Sequence, residues 1–311
     1  MESNRNGLTE LFHVDWDIFM TATHLWLQGH SPYGALSPEN AAGAFAYPPL
    51  ALTWLFFFTL LGPLGYYVWT ALQLGGWWWL AKDECPEQIV LLCWSPFILN
   101  LIEGQSTMAI ALVLWAAFKA RQRGLLWGLA LAWTLSKPQV AICPLLWLLW
   151  QDRGSPQRLR LWGGIVLGGL ILALPPTLRN PGIWGDWLTS LAAYRGRTLQ
   201  MGAWQGPSVI VFAVAAYLWH RAGYGQWHWW IVATLFPQGS FYVLVALLPA
   251  LRPRLGPWLI GGLLLAAVLE GPSSVLFLPW ILAGHALAVW MIAGGPHGVH
   301  VHNKQATSEP G

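Results

Sequence analysis

The stretch KARQRGLLWGLALAWTLSKPQVAICPLLWLLWQDRGSPQRLR, residues 119–160, decides how this chain is built. Two basic clusters, Lys119-Arg121-Arg123 and Arg153-Arg158-Arg160, bracket two apolar runs, 124–136 and 139–150, which meet at Lys137-Pro138. Short basic loops stay on the cytoplasmic side of a membrane, so placing both clusters there requires two crossings between them. The two runs supply that pair, and Lys137 then falls at the opposite face. Charged residues make up 9% of the chain and hydrophobic ones 56%, where a soluble chain carries about a quarter charged. The runs are continuously apolar rather than alternating, which weighs against a β-barrel. The fold class expected is all-α, a polytopic transmembrane helical bundle.

Working outward, the same alternation puts Lys82, Arg221, Arg252, Arg254 and Lys304 inside and leaves Arg5, Lys137, Arg179, Arg195 and Arg197 outside. The spans implied are approximately 64–81, 87–102, 106–119, 124–136, 139–150, 159–176, 207–220, 227–236, 240–251, 256–270 and 274–293, ten or eleven in all. Kinks are expected at Pro138, Pro144 and Pro237. Residues 48–61 break the alternation and are assigned to an interfacial or dipping helix at the outer face. The organisation expected is an extracytoplasmic loop over 1–47, a helical membrane domain over 48–293 with a large external loop at 177–206, and a disordered tail over 294–311.

Most of the 24 Trp suit an interfacial belt and packing. Cys85, Cys93 and Cys143 lie in or beside apolar runs without ligand spacing and read as small buried hydrophobes. A net charge of +3 sets topology and does not point to nucleic acid. The N-terminal MESNRNGLTELF is polar and is not read as a cleavable signal peptide. No paired-carboxylate or HExxH spacing, Walker loop or GxGxxG after a strand is present, so neither an obligatory metal nor any other cofactor is expected. The HGVHVH of the tail can take up a metal adventitiously and is not read as a functional site.

Against this apolar background, carboxylates at the outer face are functional candidates, because charge beside hydrocarbon is costly to keep. Asp15 and Asp17 stand in VDWDIFMTATHLWLQGHSPY, residues 14–33. One of them caps a helix expected to start near Ile18, or one is the chemical group. Tyr47-Pro48-Pro49 sets the start of the next helix, and Glu103-Gly104-Gln105 closes an outer hairpin. Lys137, a cation stranded between two apolar helices, needs a counter-charge: a lipid phosphate, Glu103, or the interface reached by snorkelling. Arg195 and Arg197 with Tyr194 form a second outer cationic group, and His24 and His30 read as solvated.

Four local patterns occur together and in order: DWDIFMTATHLWLQGHSPY at 15–33, FAYPPL at 45–50, IEGQSTMAIAL at 102–112 and LSKPQ at 135–139. In this arrangement the chain resembles the bacterial polytopic glycosyltransferases of glycosyltransferase family 87, within the GT-C superfamily, whose members include polyprenol-phosphate-mannose-dependent α-mannosyltransferases. The resemblance covers residues 14–150 well and 177–206 loosely. It implies a cell-membrane, multi-pass hexosyltransferase acting at the extracytoplasmic face, moving a hexose such as mannose from a polyprenyl-phosphate donor to a lipid or glycan acceptor. In the family pattern an Asp precedes an aromatic residue, an aliphatic–aromatic pair and Ala; Asp15, Trp16, Ile18, Phe19 and Ala22 take those places. The resemblance thus makes Asp15 the general base, with Asp17 the rival. Lys137, Arg195 and Arg197 become donor-phosphate ligands, and Gln105, Glu103, Tyr33, Tyr47 and Trp16 become sugar or acceptor contacts. The family carries a transmembrane helix ahead of its acidic loop; about fourteen residues precede Asp15 here and hold no such span.

Two other classes share parts of this pattern. A transporter or flippase would place its ionisable groups near the midplane on interrupted helices in matching halves. A non-catalytic assembly protein would not need the outer polar groups to converge.

Overall fold

The computed structural model describes residues 14–36, 45–83, 86–93, 95–198, 245–246 and 248–249. Among these the chain is all-helical, with no strand. The α-helices are α1 (Val14–Leu27), α2 (Pro32–Ala35), α3 (Leu50–Thr59), α4 (Leu64–Ala81), α5 (Ser95–Ile102), α6 (Thr107–Lys119), α7 (Leu125–Thr134), α8 (Pro138–Gln151), α9 (Arg158–Arg179) and α10 (Ile183–Thr198), with a 3-10 segment, Pro86–Cys93, before α5.

Helices α4, α6, α7, α8 and α9 run up and down a common bundle. At one end Arg123, before α7, pairs with Asp152 after α8, and Lys119 at the end of α6 reaches the Leu80 carbonyl of α4 at 3.4 Å. Both basic clusters therefore share an end, as the charge pattern required. The turns carrying Gln105 and Lys137 meet at the other end.

The most extensive packing is between α7 and α9, and its cause is the absence of side chains. A Cβ on Gly128 would stand 2.3 Å from the Leu161 carbonyl oxygen, one on Gly164 2.2 Å from that of Leu125, and one on Gly168 2.7 Å from Ala132. Small residues at four-residue spacing let two backbones touch. The remaining faces stay apolar and exposed. On α9 these are Leu159, Trp162, Val166, Leu167, Leu170, Ile171, Leu174 and Leu178.

The expected spans are met unevenly. Helices α4, α6, α7, α8 and α9 fall where 64–81, 106–119, 124–136, 139–150 and 159–176 were drawn. The 87–102 span is not one helix: a 3-10 segment ends at Cys93 and α5 spans only Ser95–Ile102. Pro86 and Pro96 remove donors at both starts, which favours two short pieces. The 48–61 segment becomes α3, bent by 113° from α4, with Gly62 at φ +53 making the reversal. Pro138 is the first residue of α8 and Pro144 lies inside it. Neither outer segment is a plain loop: 1–47 contains α1 and α2, and 177–206 contains α10. Helix α9 is the one described helix long and apolar enough to cross a membrane, and α3 with α4 meets the same test only as a bent pair. At about 1.5 Å per residue, α6 and α7 reach only about 20 and 15 Å against about 30 Å of hydrocarbon. Expected spans from 207 onward, Pro237 and the 294–311 tail lie outside the described residues, apart from short pieces at 245–249.

Candidate active site

Helix α1 begins at Val14, earlier than expected, so Asp15 and Asp17 both lie in its first turn and neither caps a helix starting at Ile18. Their different fates follow from helix geometry. Residues two apart project about 200° from each other, so only one can face the bundle. Asp15 is that one; Asp17 is exposed. The backbone docks beside it, with the Trp16 amide donating to the Glu103 carbonyl at 2.9 Å.

Gly104 permits this approach. It has φ +72, and a Cβ there would lie 2.8 Å from the Trp16 Cβ. Trp16 is 4% exposed and packed by Phe58, Tyr66 and Trp69. Its expected role as a sugar platform is therefore corrected: its rings are committed to packing, as are Trp54 and Trp69, which stack on each other at 5.1 Å. Tyr33, also expected to touch substrate, is buried and donates to the Tyr47 carbonyl at 2.7 Å. It positions Tyr47, and burial holds its phenol well above the usual range, with Asp186 adding to the effect.

Gln105 is the hub. Its Oε1 accepts from Lys137 Nζ at 2.6 Å and from the Tyr47 hydroxyl at 2.9 Å. Two donors on one side fix the amide, so Nε2 must face the other way, and there it donates to Asp15 Oδ2. Thr107 Oγ1 takes a second Lys137 bond at 2.8 Å, Ser106 Oγ donates to the Tyr47 hydroxyl at 3.2 Å, and the Lys137 ammonium lies 5.2 Å from the Tyr47 ring centre. Ser136 accepts from Trp54 Nε1 at 3.0 Å, anchoring the Lys137 turn. All four sequence patterns thus meet at one place.

The charges there are one cation and two carboxyls. Lys137 is 3% exposed, and burial lowers its ammonium to about 8, although Asp15 and Glu103 oppose the fall. Burial raises Asp15, while Lys137 and hydrogen bonds from Gln105 and Glu103 pull it back toward ionisation. Glu103 is pushed up to about 8, first by burial and then by the Asp15 charge beside it. Both carboxyls are only partly exposed, and two like charges side by side make ionisation of the second harder. Of the counter-charges expected for Lys137, the carboxyls of Glu103 and Asp15 are the ones that act on it here.

Arg195 and Arg197 are on α10, but their side chains lie outside the described residues. Arg179 caps the C-terminus of α1 through Nε to the Trp26 carbonyl at 2.8 Å and through a second bond to Leu27, a favourable place for a cation. His24 and His30 are exposed.

The sequence reading passed over Ser106, Thr107, Ser136, Asn100 and Gln73. Asn100 accepts from the Met108 amide at 3.1 Å and donates to Gln73 at 3.0 Å, clamping the 100–108 turn. A lone amide inside an apolar run, as in FILNLI and ALQLGG, was the available signal. Gln73 Nε2 has no hydrogen-bond partner and borders a groove of about 250 Å³ between α4 and α6, lined by Trp69, Gly76, Ala109, Leu112 and Trp133 among others. The groove adjoins the site, because Trp69 Nε1 donates to the Gly104 carbonyl at 3.1 Å. Among the described residues no group of three His, Cys, Asp or Glu has the arrangement of a metal site. No protein-family model, curated protein or solved structure matches the chain.

Proposed function

We propose that the chain is an integral-membrane glycosyltransferase, which moves a hexose from a polyprenyl-phosphate donor to a hydroxyl of a lipid or glycan acceptor at the extracytoplasmic face. The observation that carries this reading is the convergence of Asp15, Gln105, Tyr47 and Lys137 at one end of an apolar bundle. Asp15 takes the proton of the acceptor hydroxyl as its oxygen attacks the anomeric carbon; the bond from that carbon to the phosphate oxygen breaks and the lipid phosphate leaves. Gln105 aims the carboxylate, and Lys137 lowers the cost of negative charge in the site. The exposed apolar faces of α9 and of the α3–α4 tip (Phe57, Leu60, Leu61, Leu64) exceed what a soluble monomer ordinarily presents and support lipid as the surrounding solvent. The α4–α6 groove suits the donor's isoprenoid chain.

The test is transfer from a radiolabelled polyprenyl-phosphate sugar by purified wild type, Asp15→Asn and Asp17→Asn. Transfer by wild type and Asp17→Asn with loss in Asp15→Asn is the expected result. Intact transfer in Asp15→Asn overturns the assignment of the base. An ion-coupled carrier is the second reading, and the 113° break between α3 and α4 favours it, since carriers bind on interrupted helices. Proton-driven uptake by proteoliposomes without sugar transfer would select it.

A further inference from the structure

The basic end of the bundle, opposite Asp15, holds a second concave surface. It is an open cleft of about 480 Å³ between α8 and α9, with apolar walls and two arginines, Arg153 and Arg158, in its lining. Helix α8 supplies Leu146, Leu149 and Trp150, which share one face at i, i+3 and i+4. Helix α9 supplies Leu159 and Trp162. Each stands two residues from a position packed on α7, Leu161 or Gly164, and so lies about 200° around the helix from it. Both are left exposed, Leu159 by 75% and Trp162 by 46%.

The arginines are placed by the turn that joins the helices. Arg123 anchors that turn through Asp152. The Ser155 amide donates to the Asp152 carbonyl at 2.9 Å, and the Gln157 amide donates to Ser155 Oγ at 3.2 Å. The Arg153 guanidinium lies over the Trp150 ring, 4.3 Å from its centre, and its Nη1 donates to the Trp150 carbonyl at 3.1 Å. Arg158 Nη1 donates to the Arg153 carbonyl at 3.1 Å. Each guanidinium thus commits one of its N–H groups to backbone and keeps others for an acceptor. Among the described residues neither has a carboxylate partner, and the neighbouring Asp152 is taken by Arg123 through both oxygens.

We propose that this cleft binds an anionic phospholipid, with the phosphodiester on Arg153 and Arg158 and an acyl chain along Leu146, Trp150, Leu159 and Trp162. Charge selects an anion, and planar guanidinium groups suit phosphate oxygens. The apolar walls have no use for free phosphate and match a chain. Tryptophans beside a basic pocket at a bundle end are what a headgroup layer meets. The inference rests on the integral-membrane part of the reading above and not on sugar transfer. Arg160, the third cation of this cluster, donates to Gln157 Oε1 at 3.3 Å and does not line the cleft, so it carries equal charge outside the site.

The test is titration of the full chain in detergent with phosphatidylglycerol and with phosphatidylcholine of the same acyl chains, read by native mass spectrometry. Wild type should prefer phosphatidylglycerol by about tenfold or more, since each arginine near a headgroup contributes roughly fivefold. The double variant Arg153→Lys with Arg158→Lys keeps the charge but not the stacked, forked donors, and should lose most of that preference. Arg160→Gln removes a charge and should retain it. Trp162→Ala should weaken both lipids alike. Equal binding of the two lipids by wild type, which needs no variant, overturns the proposal. So does a preference that the lysine variant keeps, or one that Arg160→Gln lowers as much. Displacement of phosphatidylglycerol by excess inorganic phosphate also overturns it, because the walls would then add nothing. Release of the chain from membranes by alkaline carbonate would sink the membrane reading and this site with it. A chain that resists carbonate but has no lipid preference sinks the site alone, and lipid preference without sugar transfer sinks only the glycosyltransferase reading.

Discussion

The two ends of the bundle each hold a cation beside carboxylate chemistry, and they solve it differently. At one end Arg123 grips Asp152 with two bonds, Nε to Oδ2 at 2.5 Å and a second at 2.6 Å, and its other arm donates to the Ala117 carbonyl at 2.8 Å. One cation meets one anion, and the spare donors cap the last turn of α6. At the other end Lys137 is bonded to neutral oxygens, while two carboxyls compete for its charge. A matched bidentate pair holds a structure together. At the other end, among the described residues, burial and Asp15 push Glu103 up to about 8, a perturbed cluster of the kind that makes a candidate site.

The largest effect that would break this contrast belongs to Asp15. Asp15→Asn should lower sugar transfer by about 10²–10⁴-fold, with Asp17→Asn within about twofold of wild type in the same assay. Lys137→Met comes next. Removing the one cation of this cluster among the described residues should destabilise the fold by about 3–5 kcal/mol, measured as a lowered denaturation midpoint in detergent.

The proton balance sharpens the comparison further. Glu103 binds its proton more tightly folded than unfolded, so its contribution is fully present below about pH 4.5 and is lost as pH rises to about 8. Lys137 has the opposite sense: between about 8 and 10.5 the unfolded chain holds the extra proton, and stability recovers as pH rises. Thermal unfolding against pH should therefore show a minimum near 8, and Glu103→Gln should flatten its acidic side. Mutation of the Arg123–Asp152 end should leave this profile alone.

Two smaller effects test the frame. Gly164→Leu forces a side chain onto the α7 backbone and should cost about 1–3 kcal/mol or more, seen as a fall in Tm. Arg123→Gln should cost about 1 kcal/mol and leave transfer unchanged, because this pair is remote from Asp15. If transfer fell with Arg123→Gln at unchanged Tm, the two ends would not be separable as scaffold and site.

Much of the scaffold was legible because each signal was local. Apolar runs and the basic residues between them placed α4, α6, α7, α8 and α9, and they put both basic clusters at one end. The break within 87–102 was harder to see, since apolar composition does not distinguish one helix from two short pieces. In the site, Asp15, Glu103, Gln105, Tyr47 and Lys137 stood out as polar groups in apolar surroundings. Trp16 and Tyr33 were assigned to ligand because an aromatic in a polar loop looks the same whether its ring stacks on a sugar or on Trp69. Ser106, Thr107 and Ser136 were overlooked because a hydroxyl is unremarkable until its partner is known.

What the sequence determined by itself was the all-helical character, the end-to-end charge order and which polar residues stand out in apolar runs, since periodicity and composition are properties of short windows. Only the tertiary structure decided which of Asp15 and Asp17 faces inward and that the Glu103 backbone docks beside them on Trp16. It also decided that Gln105 joins Asp15 to Lys137. Those outcomes depend on the rotation of α1 about its axis and on the missing Cβ of Gly104. A side chain at 104 would push the turn away from Trp16.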